Sequence, residues 1–599
     1  MLCRYTVERG LRVPMRDGVE LVADHYAPAR PVGTVLVRTP YGRGFPFTQL
    51  FGTFLAAHGY HVLIQSVRGT FGSGGRFTPM VHEAADGADT AAWLTRQPWF
   101  TGAFATIGMS YLGYVQWALL RDPPPACRAA VVIVGPHDFA QSTWGTGAFT
   151  LNDFLAWSDM MAHQEDPGRL RRLVRRLGAG RRVARAAGQV PAGAAARALL
   201  GTGAPWYEDW AGHPDPDDPF WTPMRHGEAL DRVEIPVLLF GGWQDLFLRQ
   251  TLAQYRRLRD RGVPVALTVG SWTHNGVLTA GLATVLRESL AWLDTHLAGT
   301  RRTTRGPVRV HVTRHGWIDL PDWPPALPQR QWHPAPGGAL ADAPPPAGAA
   351  PVSFTFDPAD PTPTVGGRLL EGGGYRVDTR LAVRPDVAVF TGAPLAADLF
   401  VLGTPVLELR HDCDNPHHDL FVRVSDVDTR GRSRNVADGY LGRAPGTPTL
   451  RIELDPVAYR FRAGHRIRVL VDYVDSRDCF PGVDVAGGVC YFLWNRDHPG
   501  ECEVVSHTKN GSASRRTRPL LEPGADVFVR YNEAISILKK IAAVETGNTD
   551  GSIVLPEEKR FSRQVSRQKP FGLRTYFRGD AAPKRRDDVK VLQSRGESW

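Results

Sequence analysis

The sequence predicts an α/β fold followed by an all-β module. Three observations carry this. Continuous apolar runs separated by helical stretches fill the first 300 residues, the rhythm breaks for about 100 residues between the fourth and fifth runs, and short alternating runs with Pro- and Gly-rich turns begin near residue 307. The runs are "TVLVRT" (34–39), "YHVLIQ" (60–65), "FATIG" (104–108), "RAAVVIVG" (128–135), "IPVLLFGG" (235–242) and "VPVALTVG" (263–270). Strands that are apolar throughout, with helices between them, belong to a parallel sheet covered on both faces.

In the break, "DPGRLRRLVRRLGAGRRVARAAG" sets Leu170, Leu173, Val174 and Leu177 at helical spacing among arginines. This reads as an amphipathic helix whose arginines form a solvated face, with anion binding as the lesser alternative. An insertion of this size is expected to be a helical cap. Beyond it, "VRVHVT", "VSFTFD", "VAVFTG", "PVLELRH", "DLFVRVSDVD" and "HRIRVLVDYV" alternate as half-buried strands do, and "HPAPGGALADAPPPAGAAP" (333–351) reads as a surface connector. The expected divisions are 1–136 with 228–300 for the α/β part, 137–227 for the cap, 301–530 for the sandwich and 531–599 for a basic tail.

Composition excludes several classes. No uninterrupted apolar stretch reaches the ~18 residues of a membrane span. The opening "MLCRYTVERG" has no apolar leader core, so a cytoplasmic protein with no membrane partner is expected. Six scattered cysteines, none in C-x-x-C spacing, argue against a metal site or a disulfide framework. The formal charge is +10, but residues 511–599 carry 18 Lys+Arg against 11 Asp+Glu and so hold +7 of it. All 7 lysines lie at or beyond Lys509. The rest is nearly neutral, which argues against nucleic acid as a partner. The tail reads as a foreign, separable segment, although "ADVFVRY" could close the sandwich.

The chemistry centres on "TIGMSYLGY" (106–114). Ser110 follows an apolar strand and opens a helix, the context of a nucleophile elbow, but the second glycine of Gly-x-Ser-x-Gly arrives one residue late, at Gly113. A serine capping a helix gives the same local pattern. The fifth apolar run ends at Asp245 in "GGWQD" and the sixth at His274 in "GSWTH". Serine, aspartate and histidine in this chain order, each after a strand, are what acyl transfer on such a fold needs.

These stretches, with "VPMRDGVELVADHYAP" (13–28), "VLVRTPYGR" (35–43), "QSVRGTFGSGGRF" (65–77), "DGADTAAWLTRQPWFTG" (86–102), "FDPADPTPTVGG" (356–367) and "GHRIRVLV" (464–471), resemble the family of X-Pro dipeptidyl-peptidases, cocaine esterase, α-amino-acid ester hydrolases and glutaryl-cephalosporin acylases. The resemblance implies an α/β-hydrolase fold with a helical cap and a C-terminal jelly-roll (galactose-binding-like) domain. It implies Gly-x-Ser-Tyr-x-Gly as the elbow, Ser110, Asp245 and His274 as the catalytic triad, and an oxyanion hole made by the Tyr111 amide and the Tyr41 hydroxyl. Trp144 and Trp157 resemble acyl-pocket walls of the esterase branch, and Phe247 an aromatic after the triad aspartate; Gln49 is a further candidate contact. Ser66 stands where the family usually has aspartate, which predicts altered support beneath the site.

The expected function is hydrolysis of carboxylic esters, and of amides as an extension, without metal or cofactor, on a small-molecule ester or peptide substrate. The alternatives are an Xaa-Pro dipeptidyl-peptidase, an α-amino-acid ester hydrolase or β-lactam acylase, and a catalytically dead binding protein. A peptidase must hold a free α-amino group, for which the cap offers Asp153, Glu165, Asp166 and Glu208. The sequence leaves a homo-oligomer open.

Overall fold

The computed structural model describes residues 3–189, 192–302, 305–357, 360–413, 418–442, 449–474, 502–507 and 513–518. The chain enters as an antiparallel pair, β1 (Tyr5–Pro14) and β2 (Glu20–Pro28). The sequence reading passed over both because charged residues interrupt their apolar pattern. The six apolar runs become β3 (Gly33–Thr39), β4 (Tyr60–Ser66), β5 (Phe104–Met109), β6 (Cys127–Ile133), β7 (Val237–Gln244) and β8 (Val265–Thr273).

These strands pair in parallel in the order β4-β3-β5-β6-β7-β8, and β2 adds antiparallel to β4. Side chains alternate between two apolar clusters, one on each face. Val35, Val37, Val62, Ile64, Ile107 and Val131 enter one; Leu36, Leu63, Phe104, Val132, Leu239 and Leu267 enter the other. Burial on both faces is why these strands read as unbroken apolar runs.

One strand falls on the other side of the expected boundary. β9 (Val308–Val312), assigned from its alternation to the sandwich, pairs parallel with β8, and β10 (Gly316–Leu320) folds back on it. The ten-stranded sheet thus extends past residue 301. β9 alternates because one of its faces is polar: Val308, Val310 and Val312 are buried, while Arg309 pairs with Glu288 and Asp319.

Between β6 and β7 the chain leaves the sheet as the helices Leu151–His163, Arg169–Ala187, Ala192–Leu200 and Trp206–Gly212. The arginine face is not wholly solvated. Arg175 and Arg182 reach Asp159 at 2.7 and 3.1 Å, and Asp159 is buried. Leu177, expected on the apolar face, is 80% exposed. Among the described residues no helix is long and apolar enough to cross a membrane.

The β module comprises β11 (His333–Ala335), β12 (Ala339–Ala341), β13 (Val387–Gly392), β14 (Leu399–Gly403), β15 (Val406–Arg410), β16 (Asp419–Val427), β17 (Ser433–Leu441), β18 (Thr449–Glu453), β19 (Val457–Phe461) and β20 (Arg466–Val474). Six form a sheet in the order β11-β12-β13-β20-β16-β17; β14 pairs with β19 and β15 with β18. Leu420, Val422 and Val469 of the sheet share one core with Ile452, Tyr459 and Phe461 of the two ladders. Farther on, β21 (Cys502–His507) and β22 (Ala513–Arg518) form an antiparallel hairpin. "ADVFVRY" and the rest of the tail lie outside the described residues.

A buried cation in β16 gives the module a stability test. Arg423 is 2% exposed and forks onto Asp438 with two 2.7 Å bonds, while Asp378 lies 3.8 Å away. Arg423→Met should destabilise the module by about 3–5 kcal/mol, because it strands two carboxylates out of water. Chemical unfolding measures this; a loss below about 1 kcal/mol would show that the pair is not structurally required.

Candidate active site

Ser110 joins β5 to the helix Tyr111–Leu119 with φ 59° and ψ −119°. A non-glycine residue held there stores roughly 1–3 kcal/mol of strain, so the surroundings must over-determine it. They do so with hydrogen bonds and with missing side chains. The Ser110 N–H donates to the Ile133 carbonyl at 2.9 Å, and its own carbonyl accepts from Gly113 and Tyr114. A Cβ on Gly108 would lie 2.4 Å from Leu112 Cβ, and one on Gly113 would lie 2.7 Å from Gly135 Cα. The close approach therefore falls at 113 and not at 112, which accounts for the late glycine. Leu112 is buried in the core beneath the turn.

Asp245 and His274 follow β7 and β8, at the ends where β5 also delivers Ser110. His274 Nε2 lies 2.9 Å from Ser110 Oγ, and His274 Nδ1 lies 2.6 Å from Asp245 Oδ1. Asp245 is fully buried and uses its other oxygen to accept the Phe247 N–H at 3.0 Å. One carboxylate thus holds both the imidazole and the backbone just before the helix Leu248–Asp260, which has no side-chain cap. Such a partner fixes the imidazole tautomer, with Nδ1 protonated and Nε2 facing the serine.

Tyr41 follows β3. Its hydroxyl accepts the Trp157 indole N–H at 3.0 Å. Burial pushes the phenol up to about 12, while hydrogen bonds to Trp157 and Ser110 pull the other way. It therefore stays protonated at neutral pH, with its own O–H available to a neighbour in the cleft. Tyr111 is held at its ring end, where the hydroxyl donates to Glu83 at 2.8 Å and accepts from the Met80 N–H at 2.9 Å. Its main-chain N–H is the first of its helix, outside the helical ladder. Ser66 accepts from Arg43 Nη1 at 2.6 Å, and Asp24 accepts from Arg43 Nε at 3.1 Å. Arg43, two residues after Tyr41, is thus held both by Ser66 and by Asp24 of β2.

The cleft encloses about 400 Å³, open mouth included, between Tyr41, Met80, Ser110, Tyr111, Pro136, Phe139, Asp153, Phe154, Trp157, Leu246, Phe247, His274 and Leu370. Of the wall candidates, Trp157 and Phe247 line it. Trp144 does not: its indole donates to the Trp210 carbonyl and packs on Phe149 inside the cap. Gln49 is exposed on the turn Thr48–Thr53. Leu370 was not anticipated; it comes from the β module, where "GGRLLEGGG" carries no chemical signature.

Of the four cap carboxylates named from sequence, Asp153 alone lines the cleft. Glu165 accepts the Phe71 N–H, Glu208 pairs with Arg197, and Asp166 is not among the lining residues. Asp153 is buried; its Oδ1 accepts from Leu370 N–H at 3.0 Å and from Asn152. Burial raises its carboxyl to about 6, opposed by those donors and by the nearby His274 and Arg368.

The family model for X-Pro dipeptidyl-peptidase (S15 family) matches residues 17–276, and that for the X-Pro dipeptidyl-peptidase C-terminal non-catalytic domain matches 299–476. Cocaine esterase of a Rhodococcus species is 30% identical over 541 residues, which cover 80% of this chain and 92% of that protein. An aminopeptidase structure from a marine-sediment thaumarchaeon superposes with a TM-score of 0.66 at 23% identity, over 78% of this chain and 89% of that one. An α-amino acid ester hydrolase gives the same four values.

The raised Asp153 carboxyl makes a signed prediction. A folded-state value near 6 against an unfolded value near 3.9 costs nothing below pH ~4, where both states are protonated. The cost grows as pH rises through about 4 to 6 and is complete above, on the order of 2–3 kcal/mol. Asp153→Asn should therefore gain stability relative to the parent between pH 4 and 7.5, read as the difference of their melting temperatures at each pH. A difference that does not change with pH would refute the assignment.

Proposed function

This chain belongs to the X-Pro dipeptidyl-peptidase (S15) family and is a serine hydrolase; from that premise we propose that it cleaves carboxylic esters through an acyl-enzyme on Ser110. The carrying observation is the continuous line from Asp245 through His274 to Ser110, at 2.6 and 2.9 Å. His274 Nε2 takes the Ser110 proton as Oγ bonds to the substrate carbonyl carbon. Asp245 holds Nδ1–H and stabilises the imidazolium that forms. The carbonyl oxygen becomes an oxyanion that accepts from the Tyr111 N–H and the Tyr41 O–H. His274 then gives its proton to the departing alkoxide as the C–O bond breaks. A water, deprotonated by the same nitrogen, releases the acid and restores Ser110. The steps as written use no metal or cofactor.

The apolar walls Phe139, Phe154, Trp157 and Phe247 favour a hydrophobic or aromatic acyl group. A second reading rests on Asp153: a carboxylate in the cleft could pair with the free amino group of an aminoacyl ester or an Xaa-Pro peptide. A panel of p-nitrophenyl acyl esters, aminoacyl esters and Xaa-Pro anilides separates the two. Under the first reading neutral acyl esters turn over fastest, and under the second Asp153→Asn loses the amino-bearing substrates alone. The same proposal takes the β module as a jelly roll, on its two-layer core, and the enzyme as cytoplasmic.

Ser110→Ala, Asp245→Asn and His274→Ala should each lower kcat by about 10⁴-fold or more, and the Ser110→Ala/His274→Ala pair should be hardly worse than either alone, because the three act as a unit. A fluorophosphonate probe should label the parent and not Ser110→Ala. Substantial activity in Ser110→Ala would end the proposal. Tyr41→Phe should lower kcat by about 10²-fold with little change in KM, since its bond to the oxyanion strengthens only as charge develops. A change in KM alone would make Tyr41 a packing residue.

A further inference from the structure

A second, more open concavity lies at the junction of the large sheet and the β module, about 700 Å³ with its open mouth included, lined by Arg314, Asp428, Thr429, Arg430, Arg432, Arg462 and His465. Three separate turns build it. Arg314 comes from the turn between β9 and β10, residues 428–432 join β16 to β17, and Arg462 and His465 lie between β19 and β20. Four arginines and one carboxylate, Asp428, line it, and a second carboxylate, Asp426, lies beneath.

The floor is organised. Asp426 is 1% exposed and binds three groups: Arg314 Nη1 at 3.0 Å, His465 Nδ1 at 2.7 Å and the Tyr459 hydroxyl at 2.9 Å. It therefore orients two cationic or titratable groups and has no charge left over for the others. Asp428 is likewise engaged: it accepts the N–H groups of Arg430 and Arg432 and pairs with the Arg432 guanidinium at 3.0 Å. That leaves Arg430 and Arg462, both exposed, with no direct ion pair among the described residues; Asp398, whose carboxyl the Arg462 charge helps to lower, is itself bonded to Arg460. Arg314 also holds φ +67°, a conformation that a long side chain adopts at a cost of roughly 1–3 kcal/mol. Its guanidinium lies against Asp426 and 5.8 Å from the Tyr459 ring centre.

We propose that this concavity binds a phosphate-type oxyanion, inorganic or carried on a small molecule. Guanidinium forks match the paired oxygens of phosphate, and a group with two negative charges offsets the two unpaired arginines together. His465, with Nδ1–H donating to Asp426, keeps Nε2 as an acceptor for the P–OH of a monohydrogen phosphate, and the unprotonated oxygens fall to the arginines. The site uses no residue of the hydrolytic cleft.

Calorimetric titration of the full chain at low salt with phosphate, pyrophosphate and a sugar monophosphate tests this. One saturable site is expected, tighter for pyrophosphate than for phosphate. Arg430→Ala/Arg462→Ala should weaken it by at least about tenfold and leave ester hydrolysis unchanged. Preference for the sugar monophosphate over phosphate would identify a carried group, and the reverse order a free ion. Arg430→Gln, on an exposed turn, reports the same direction should the double variant lose its fold. The proposal fails if no saturable binding is seen up to about 20 mM ligand. It fails equally if the double variant binds as the parent does, which would assign the binding to another basic segment such as the tail.

Discussion

The left-handed backbone at Ser110 is the constraint on which the site depends. With φ near 59°, the chain reverses from strand to helix within one residue and lifts Oγ out of the plane of the sheet. That reversal brings the helix so close to β5 and β6 that no Cβ fits at Gly108, Gly113 or Gly135. The Ser110 N–H, spent on the Ile133 carbonyl, ties the turn to β6. The strain is then sustained by packing along three buried strands, and the nucleophile keeps its place without a ligand. The geometry also leaves the next amide, that of Tyr111, beside the hydroxyl and outside the helical ladder, where an oxyanion can use it.

Around that turn, polar groups are few and each is held by another. Tyr111 is anchored through its hydroxyl to Glu83, which Arg38 approaches to 3.0 Å with both side chains almost unexposed. Burial raises the Glu83 carboxyl and Arg38 opposes the rise. A buried pair of this kind adds little net stability, because desolvation offsets attraction, but breaking it would leave an uncompensated charge behind Tyr111, whose amide is proposed to hold the oxyanion. Trp157 plays the corresponding part for Tyr41. Its N–H occupies the phenol oxygen, and its ring lies nearly parallel to that of Tyr111, 9° away at 6.2 Å. One cap residue therefore touches the side chains of both Tyr41 and Tyr111.

Much of this was legible in the sequence, for identifiable reasons. The parallel strands announced themselves because two-sided burial demands unbroken apolar runs, and Ser110, Asp245 and His274 stood out because each directly follows one. β1 and β2 were missed because Glu8 and Arg9 on the edge strand β1, and the buried polar residues Asp24 and His25 on β2, break the apolar pattern. β9 was misassigned because alternation reports one polar face and not which sheet a strand joins. Trp144 and Trp157 could not be told apart, since both are aromatic residues at helical positions; only the fold turns one indole to Tyr41 and the other to Trp210. Asp153 was one of four equivalent carboxylates until the cap's path put it in the cleft. Leu370 had no signal at all, because an aliphatic residue in a glycine-rich loop is indistinguishable from its neighbours.

The last two residues explain how the three parts of the chain meet at one carbonyl. The Leu370 amide donates to Asp153 of the cap, and the Leu370 carbonyl accepts from Asn275, the neighbour of His274. The β-module loop is thus bonded on one side to the cap and on the other to the end of β8. Arg368, two residues earlier, reaches the Leu246 carbonyl beside Asp245 and pairs with Asp455 of its own module. A loop held at both flanks of the triad forms a fixed wall. It also immobilises one oxygen of Asp153, so the carboxylate presents its remaining oxygen in a set direction. Discrimination by such a group is asymmetric. Leaving a buried charged oxygen unmatched costs more than a missing methylene in an apolar wall, so if an amino-bearing substrate is the proper one, Asp153 and not the walls would set the discrimination. With its carboxyl raised to about 6, Asp153 can meet a neutral acyl group by keeping its proton at a modest cost near neutrality. The same residue that would select an ammonium therefore does not forbid an uncharged acyl group, and the choice between ester and aminoacyl substrates turns on this one carboxylate rather than on the triad.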